Sequence, residues 1–368
     1  MSVDSTALAF APTNLVAAAL GITSFSGGLA DGQYLTLTLQ PEIDLSAIGL
    51  NQVGFGLYAP LRFQISAGDD TTTSGNFRFR EEDYDDPNEL LSIIRYIRYG
   101  QKSGGQAVYA RFGSLDGANV GYGSMLSFYR NEVGNDQRVR GLAFDFDAGL
   151  AGVETVLGSF TDPGVYAARG YVRPFWQPSY NGGGVGLSAL AVGFTLAGDV
   201  DQTGGYVNAD SLGLPFYLSE DVTGVAPPAG GALALDDGAL TTVGVDLALP
   251  FAQGPGFSMA AFVDASKILD YGWGGGAGVG LALTPPGGLA RVDARLELRY
   301  LGAHYIPRYF NAFYEIERIR VVDSVEVTDG SGTRNVPLFQ TRRNELAAQE
   351  ESYGGVFGAL AGTVLGLF

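Results

Sequence analysis

The 368-residue chain has no cysteine, a single histidine at position 304 and three methionines. Without thiols or a second imidazole, a structural zinc site, a thiol nucleophile, a disulfide framework and an iron–sulfur centre are excluded. Positive charge is scarce, since 22 Lys+Arg against 39 Asp+Glu leave a net charge of −17. Nucleic-acid binding rests on cations that displace counterions from phosphates, so that partner class is excluded too. Long apolar runs are missing as well, which removes helical membrane spans. The stretch from Thr6 to Thr23 is moderately apolar, but Asp4 rather than a basic residue precedes it and Pro12 and Asn14 interrupt it. It does not read as a signal peptide, and Met1 is expected to open a processed, cloned or truncated chain.

What is present is glycine (55), phenylalanine (22) and tyrosine (19), in a chain that is 46% hydrophobic and only 17% charged. Such a chain buries ample core and is not disordered. Composition does not shift at any linker, so one domain over residues 1–368 is expected.

The dominant pattern is a period of two. Leu35, Leu37, Leu39, Ile43 and Leu45 alternate with Thr36, Thr38, Gln40, Glu42 and Asp44, and Val53 to Ile65 alternates in the same way around Gly54, Gly56, Tyr58, Arg62 and Gln64. The clearest case is Ala290 to Tyr300, where Arg291, Asp293, Arg295, Glu297 and Arg299 occupy one face and Val292, Ala294, Leu296 and Leu298 the other. Weaker repeats, among them Gln106–Gly113, Val120–Arg130, Leu142–Ala148, Val165–Trp176, Val243–Leu249, Phe310–Val327 and Tyr353–Phe368, bring the series to about fourteen antiparallel strands (range about 12–16). Residues before Tyr34 are expected to add a further strand, whereas Val200–Ala239 and much of Asp323–Glu351 read as loop. Asp86-Pro87-Asn88-Glu89, followed by Leu90, Leu91, Ile93, Ile94 and Ile97 and then Gly100, carries a cap, an N1 proline, helical spacing and a stop, and predicts a short helix over 86–100 in a long loop.

A soluble sandwich also alternates, with its apolar face inward. Three features favour a membrane wall instead. The alternating runs exceed the usual strand of about five to six residues and match the roughly nine to eleven that cross a bilayer at a tilt. Long loops punctuate the series. Aromatics (Tyr300, Tyr305, Tyr309, Phe310, Phe313, Tyr314) cluster near strand ends, as at a headgroup boundary. The charges then set the polarity of the wall. Turning Arg291, Arg295 and Arg299 toward lipid would cost about 2–4 kcal/mol each, a total comparable with the roughly 5–15 kcal/mol that stabilises a whole domain. The expected fold is thus an all-β, antiparallel up-and-down transmembrane barrel, with Leu296 and Leu298 against acyl chains. Arg62, Asp145, Asp147, Arg169 and Arg173 are expected to line the lumen with the ladder.

On this strand pattern and the final aromatic, Phe368, the chain resembles bacterial outer-membrane β-barrels of the porin-like kind. Its end, Thr363 to Phe368, alternates but is poorer in aromatics than the family's terminal signal, which leaves a truncated C-terminus open. The resemblance implies an outer-membrane location, a lipid and lipopolysaccharide environment, small solutes or ions as cargo, no cofactor and no turnover.

Several groups are candidates for function. The ladder Arg291–Arg299 either filters solutes by charge at a constriction or braces the wall through ion pairs. Leu90, Ile93, Arg95, Ile97 and Arg98, on the predicted helix, either plug the bore or pack on a loop. The acidic run Glu81, Glu82, Asp83, Asp85 and Asp86 matches no calcium-loop spacing and reads as a solvated helix cap. His304 has no serine two residues on and the chain has no G-x-S-x-G elbow, so it reads as an interfacial residue rather than a catalyst. The glycine runs 182–184 and 274–276 lack the strand–turn–helix setting of a dinucleotide site. The leading functional expectation is a passive porin-like channel. Its rivals are a blocked barrel with a structural, adhesion or assembly role and a soluble secreted β-sandwich binder.

Overall fold

The structure is a computed structural model that describes residues 16–25, 32–45, 50, 52–67, 78–79, 93–100, 102, 107–132, 139–161, 164–177, 185–202, 239–284, 290–329 and 332–364. Strands β1 (Val16–Phe25), β2 (Gly32–Asp44), β3 (Val53–Leu57), β4 (Ala59–Ala67), β5 (Arg78–Phe79), β6 (Ile94–Tyr99) and β7 (Val108–Gly113) open the chain. The short pair β8 (Asp116–Ala118) and β9 (Tyr129–Arg130) follows, then β10 (Gly141–Asp147), β11 (Ala151–Leu157), β12 (Val165–Val172) and β13 (Ala191–Asp199). The longest strands come next: β14 (Leu240–Gly254), β15 (Phe257–Ile268), β16 (Trp273–Leu283) and β17 (Ala290–Leu301). A turn of helix α1 (Tyr314–Glu317), the hairpin β18 (Ile319–Asp329) and β19 (Gly332–Thr341), helix α2 (Arg342–Ala348) and β20 (Tyr353–Val364) complete the chain.

Sixteen of these segments form one antiparallel sheet. They occupy fourteen strand positions, because β3 and β4 are one strand broken at Tyr58, both beside β2, and β5 and β6 both line its far edge. Neighbours in the sheet follow one another along the chain, apart from the pairs β8–β9 and β18–β19, which stand outside it between β7 and β10 and between β17 and β20, so the meander is up-and-down, with β1 at one end and β20 at the other. Among the described residues no hydrogen-bonded pairing joins those two ends.

The sheet is strongly rolled. Gly121 donates its N–H to Glu154 on β11 while the adjacent Tyr122 stacks on Phe262 of β15. Four strand spacings would separate β11 from β15 by about 19 Å in a flat sheet, which two consecutive residues cannot bridge. Counting alternate directions from β7 to β17 sends the chain out at the same end after both strands. The longest connections, 114–140, 200–239 and 302–352, all leave at that end, whereas 148–150, 173–190, 255–256 and 284–289 lie at the other.

The segment predicted as a helix over 86–100 is corrected in part: Ile94–Tyr99 is strand β6, paired with β3 and β7, and residues 80–92 lie outside the described residues. Ile-Arg-Tyr-Ile-Arg-Tyr is rich in β-branched and aromatic residues, and it sends Tyr96 inward and exposes Ile97 and Tyr99 outward. The expected loop over 323–351 contains the hairpin β18–β19 and helix α2. The expected strands Val120–Arg130 and Phe310–Val327 are corrected as well: only β9, β18 and an isolated bridge between Leu126 and Phe310 are extended there.

Candidate functional site

The wall sorts its side chains by polarity. On β17, Leu296 and Leu298 are 55% and 66% exposed, while Asp293 and Glu297 on the opposite face are buried. Phe194, Val245, Val263, Val279, Val356 and Leu360 continue the exposed apolar surface across five further strands. A monomer in water rarely exposes a contiguous apolar area of this extent.

The inner face carries two ionic arrays. In the first, Glu154 on β11 stands directly opposite Arg169 on β12. The Arg169 Nη1 donates to Glu154 Oε1 at 2.7 Å, and its Nε and Nη2 form a fork on Asp246 of β14 at 2.8 and 2.6 Å. That fork reaches across β13 only because residue 193 has no side chain; a Cβ there would stand 2.6 Å from Arg169 Nε. Arg169 is 2% exposed, and its guanidinium also lies over the rings of Tyr122 and Tyr171.

The second array is the β17 ladder. Arg291 forms a fork on Asp293, and Arg295 and Arg299 both engage Glu297. Register places Arg299, Glu297 and Arg295 opposite Gly276, Gly278 and Gly280 of β16, whose missing side chains let the guanidinium stems lie along the wall. A Cβ on Gly278 would meet Glu297 Cγ at 2.8 Å.

Two inward segments cover these arrays. The first, residues 114–131, follows β7; the second, residues 302–318, follows β17. They are hydrogen-bonded to each other: Arg308 N–H donates to Ser124 O at 2.8 Å, Phe310 N–H to Met125 O at 3.0 Å, and Ser127 N–H to Phe310 O at 3.0 Å. Tyr129 donates its hydroxyl to Glu315 at 2.5 Å. Each is also tied to the wall. Gly121 N–H binds Glu154, Asp116 meets Arg95 on β6, Tyr305 shares a 2.5 Å hydrogen bond with Ser266 on β15, and Tyr314 donates to Asp199 on β13 at 2.6 Å. Burial pushes the Tyr305 hydroxyl up to about 12, so it remains neutral. Leu115, Leu126, Tyr129, Tyr309, Phe310 and Tyr314 are almost fully buried and form the apolar centre of the molecule. The aromatics at 305, 309, 310 and 314 thus fill the bore instead of ringing the headgroups, whereas Tyr300 and Phe313 of the same group are exposed, as is Trp273.

The remaining sequence candidates fall into place around this. Asp147 accepts a fork from Arg173 at 2.8 Å on both oxygens, and Asp145 pairs with Lys102 at 3.2 Å. Arg62 stands across from Thr36 on the β2–β4 pair. Arg95 is a wall residue bonded to Gln40 and Asp116, and Arg98 donates to Gly100 O, so neither belongs to a plug helix. Ile93 sits in the turn before β6, its carbonyl accepting from Tyr58 N–H. Leu90 and the acidic residues 81–86 lie outside the described residues. His304 is in a left-handed turn with φ 56°, its Nδ1 2.9 Å from the Leu346 carbonyl at the end of α2, a capping contact rather than an interfacial one. Sequence reasoning missed Arg308, which borders a small pocket with Arg295, Arg299, Glu297, Asp264 and Tyr305.

An antiparallel meander with all but a few of its strand charges, such as Lys267, turned inward, an apolar outer band and strands of up to 15 residues spans a bilayer. The architecture is that of a bacterial outer-membrane β-barrel. No protein-family model and no curated protein matches the chain. Among solved structures, it is similar to a loop-deletion mutant of OmpT, an outer membrane protein of Vibrio cholerae (10% identity, 95% of this chain and 100% of the other covered, TM-score 0.30). It is also similar to an anion-selective porin from Comamonas acidovorans (11% identity, 95% and 100% covered, TM-score 0.31). The overlaps are loose, and no residue role passes from those proteins to this barrel.

Proposed function

We propose that this outer-membrane barrel is a channel for small solutes or ions whose bore is held shut at rest by residues 114–131 and 302–318, with no turnover. The observation that carries the reading is the burial of Arg169, Glu154 and Asp264, at 2%, 3% and 8% exposure, lumenal charges that an open, passive pore would keep wet. Full occlusion of ion pairs is costly unless their hydrogen bonds are completed, and Gly121 N–H and the Asp246 fork complete those of the Arg169 array. The long loops mark the mouth through which both segments enter as the outward-facing one.

Planar-bilayer recording of the purified barrel tests this. Wild type is expected to be silent or to open briefly. Removing residues 119–127, or substituting Tyr122→Ala to release its stack on Phe262, is expected to give sustained conductance steps. Large steady steps from wild type would refute the closed resting state. A blocked barrel with a structural or assembly role is the second reading, favoured by the number of contacts between inserts and wall; it predicts silence in every folded variant.

A further inference from the structure

Arg308 differs from the other lumenal arginines. Arg295 and Arg299 share Glu297, Arg291 has Asp293, Arg173 has Asp147 and Arg169 has two carboxylates. Arg308 has no carboxylate partner among the described residues, and its buried Nε makes no hydrogen bond. Its guanidinium is held instead against the ring of Phe357 on β20, 4.4 Å from the centroid, and Arg299 lies over the same ring at 3.8 Å. The backbone fixes this placement: Arg308 has φ 55°, and its N–H is anchored on Ser124 O. A left-handed conformation is unfavourable for a long side chain and persists only when its surroundings impose it.

The pocket that these groups border holds three arginines (295, 299 and 308) against two carboxylates (264 and 297), an excess of one positive charge. The excess stands out in a chain whose net charge is −17. Burial, with the charges of Arg299 and Arg295, pulls the Arg308 guanidinium down to about 10, which still leaves it charged at neutral pH. Both nearby carboxylates are engaged: Glu297 by two arginines, and Asp264 by a hydrogen bond to Ser124.

We propose that this pocket, between Arg299 and Arg308, binds one small oxyanion, a carboxylate or inorganic phosphate. A planar guanidinium with free donors presents the fork that pairs with two oxygens of such a group. One anion neutralises the excess charge, and Leu301, Tyr305 and Pro307 limit its size. The inference extends the proposed channel by naming its solute class, and so rests on that reading, but it is tested without current.

Isothermal titration of the full chain in detergent, with sodium phosphate and separately sodium acetate at constant ionic strength, measures the site directly; the arm that saturates identifies the oxyanion. Saturable binding is expected for wild type, a loss of about tenfold or more in affinity for Arg308→Gln, and no change for Lys267→Gln, an exposed cation on the outer face. If Arg308→Gln does not fold, Arg308→Lys keeps the charge, removes the fork and is expected to weaken binding several-fold. Failure of both anions to saturate wild type, or equal affinity in a folded Arg308 variant, overturns the site. Saturable binding together with large steady conductance from wild type would sink the closed resting state and leave the site standing.

Discussion

Arg169→Met is the most informative single change, because its cost follows from the contacts it deletes. The methionine fills much of the same volume but donates nothing. Asp246 loses both bonds of its fork, and Glu154 loses the guanidinium that its Oε1 accepts from while Gly121 N–H stays on Oε2. Arg169 is 2% exposed, and neither carboxylate is more than 7% exposed, so water cannot replace the guanidinium without opening the packing. Breaking a buried ion pair by removing one partner costs about 3–5 kcal/mol, a large part of the roughly 5–15 kcal/mol available to a folded protein. The urea midpoint of the refolded barrel, followed by tryptophan fluorescence and by heat-modifiable migration, is expected to fall sharply. Adding Glu154→Gln and Asp246→Asn to the same chain removes the orphaned charges and is expected to recover a good part of the loss. The reasoning is refuted if Arg169→Met unfolds at the wild-type midpoint, or if the triple variant is no more stable than the single one.

Two further substitutions test the wall and its packing. Leu298→Arg places a charge on the acyl-facing side of β17 and is expected to cost about 2–4 kcal/mol if the position lies near the midplane; insertion into liposomes that proceeds at the wild-type yield would contradict the assigned polarity. Gly193→Val drives a side chain into Arg169 and Asp246 across β13. It is expected to destabilise the barrel by about 1–3 kcal/mol through overpacking, and a double-mutant cycle with Arg169→Met should show strong coupling, since both changes break the same fork.

The wall was legible in the sequence because strands with one lipid face and one lumenal face write their environment in a strict period of two. Arg291 to Arg299 against Leu296 and Leu298 is the sharpest example, and residues 290–301 take up that polarity in β17. The glycines of β16 that stand opposite the ladder, Gly276, Gly278 and Gly280, leave room for its long side chains. The contents of the bore were not legible. Val120, Met125, Leu126 and Tyr129 have the apolar density of a strand, yet they are buried against the inner wall. The available signal was glycine at 117, 121 and 123, each with positive φ, in a stretch without sustained alternation. The aromatics of 305–314 misled for a related reason: an interfacial belt and an apolar plug draw on the same residue types, and only tertiary packing separates them.

Strand number links these two outcomes. In an eight-stranded barrel, side chains from the wall suffice to fill the interior, whereas barrels of sixteen or more leave a channel. At fourteen strand positions the wall alone is too wide to close on itself with side chains, so a dry interior requires additional chain. Residues 114–131 and 302–318 supply it, and both do so from the same mouth, which lets them bond to one another at Ser124, Met125 and Phe310 as well as to the wall. Their apolar centre packs on itself and on Val156, Val165, Leu240 and Ile268 of the wall, and their edges satisfy the charges: Gly121 at Glu154, Asp116 at Arg95, Tyr314 at Asp199. Opening a path through the proposed channel would therefore mean separating this bonded pair from one side of the wall. The contacts that would have to break at that boundary are the apolar packing on Val156, Val165, Leu240 and Ile268, the Tyr122–Phe262 stack, and ionic and hydrogen-bonded pairs, of which the polar ones are replaced by water at least cost once it enters.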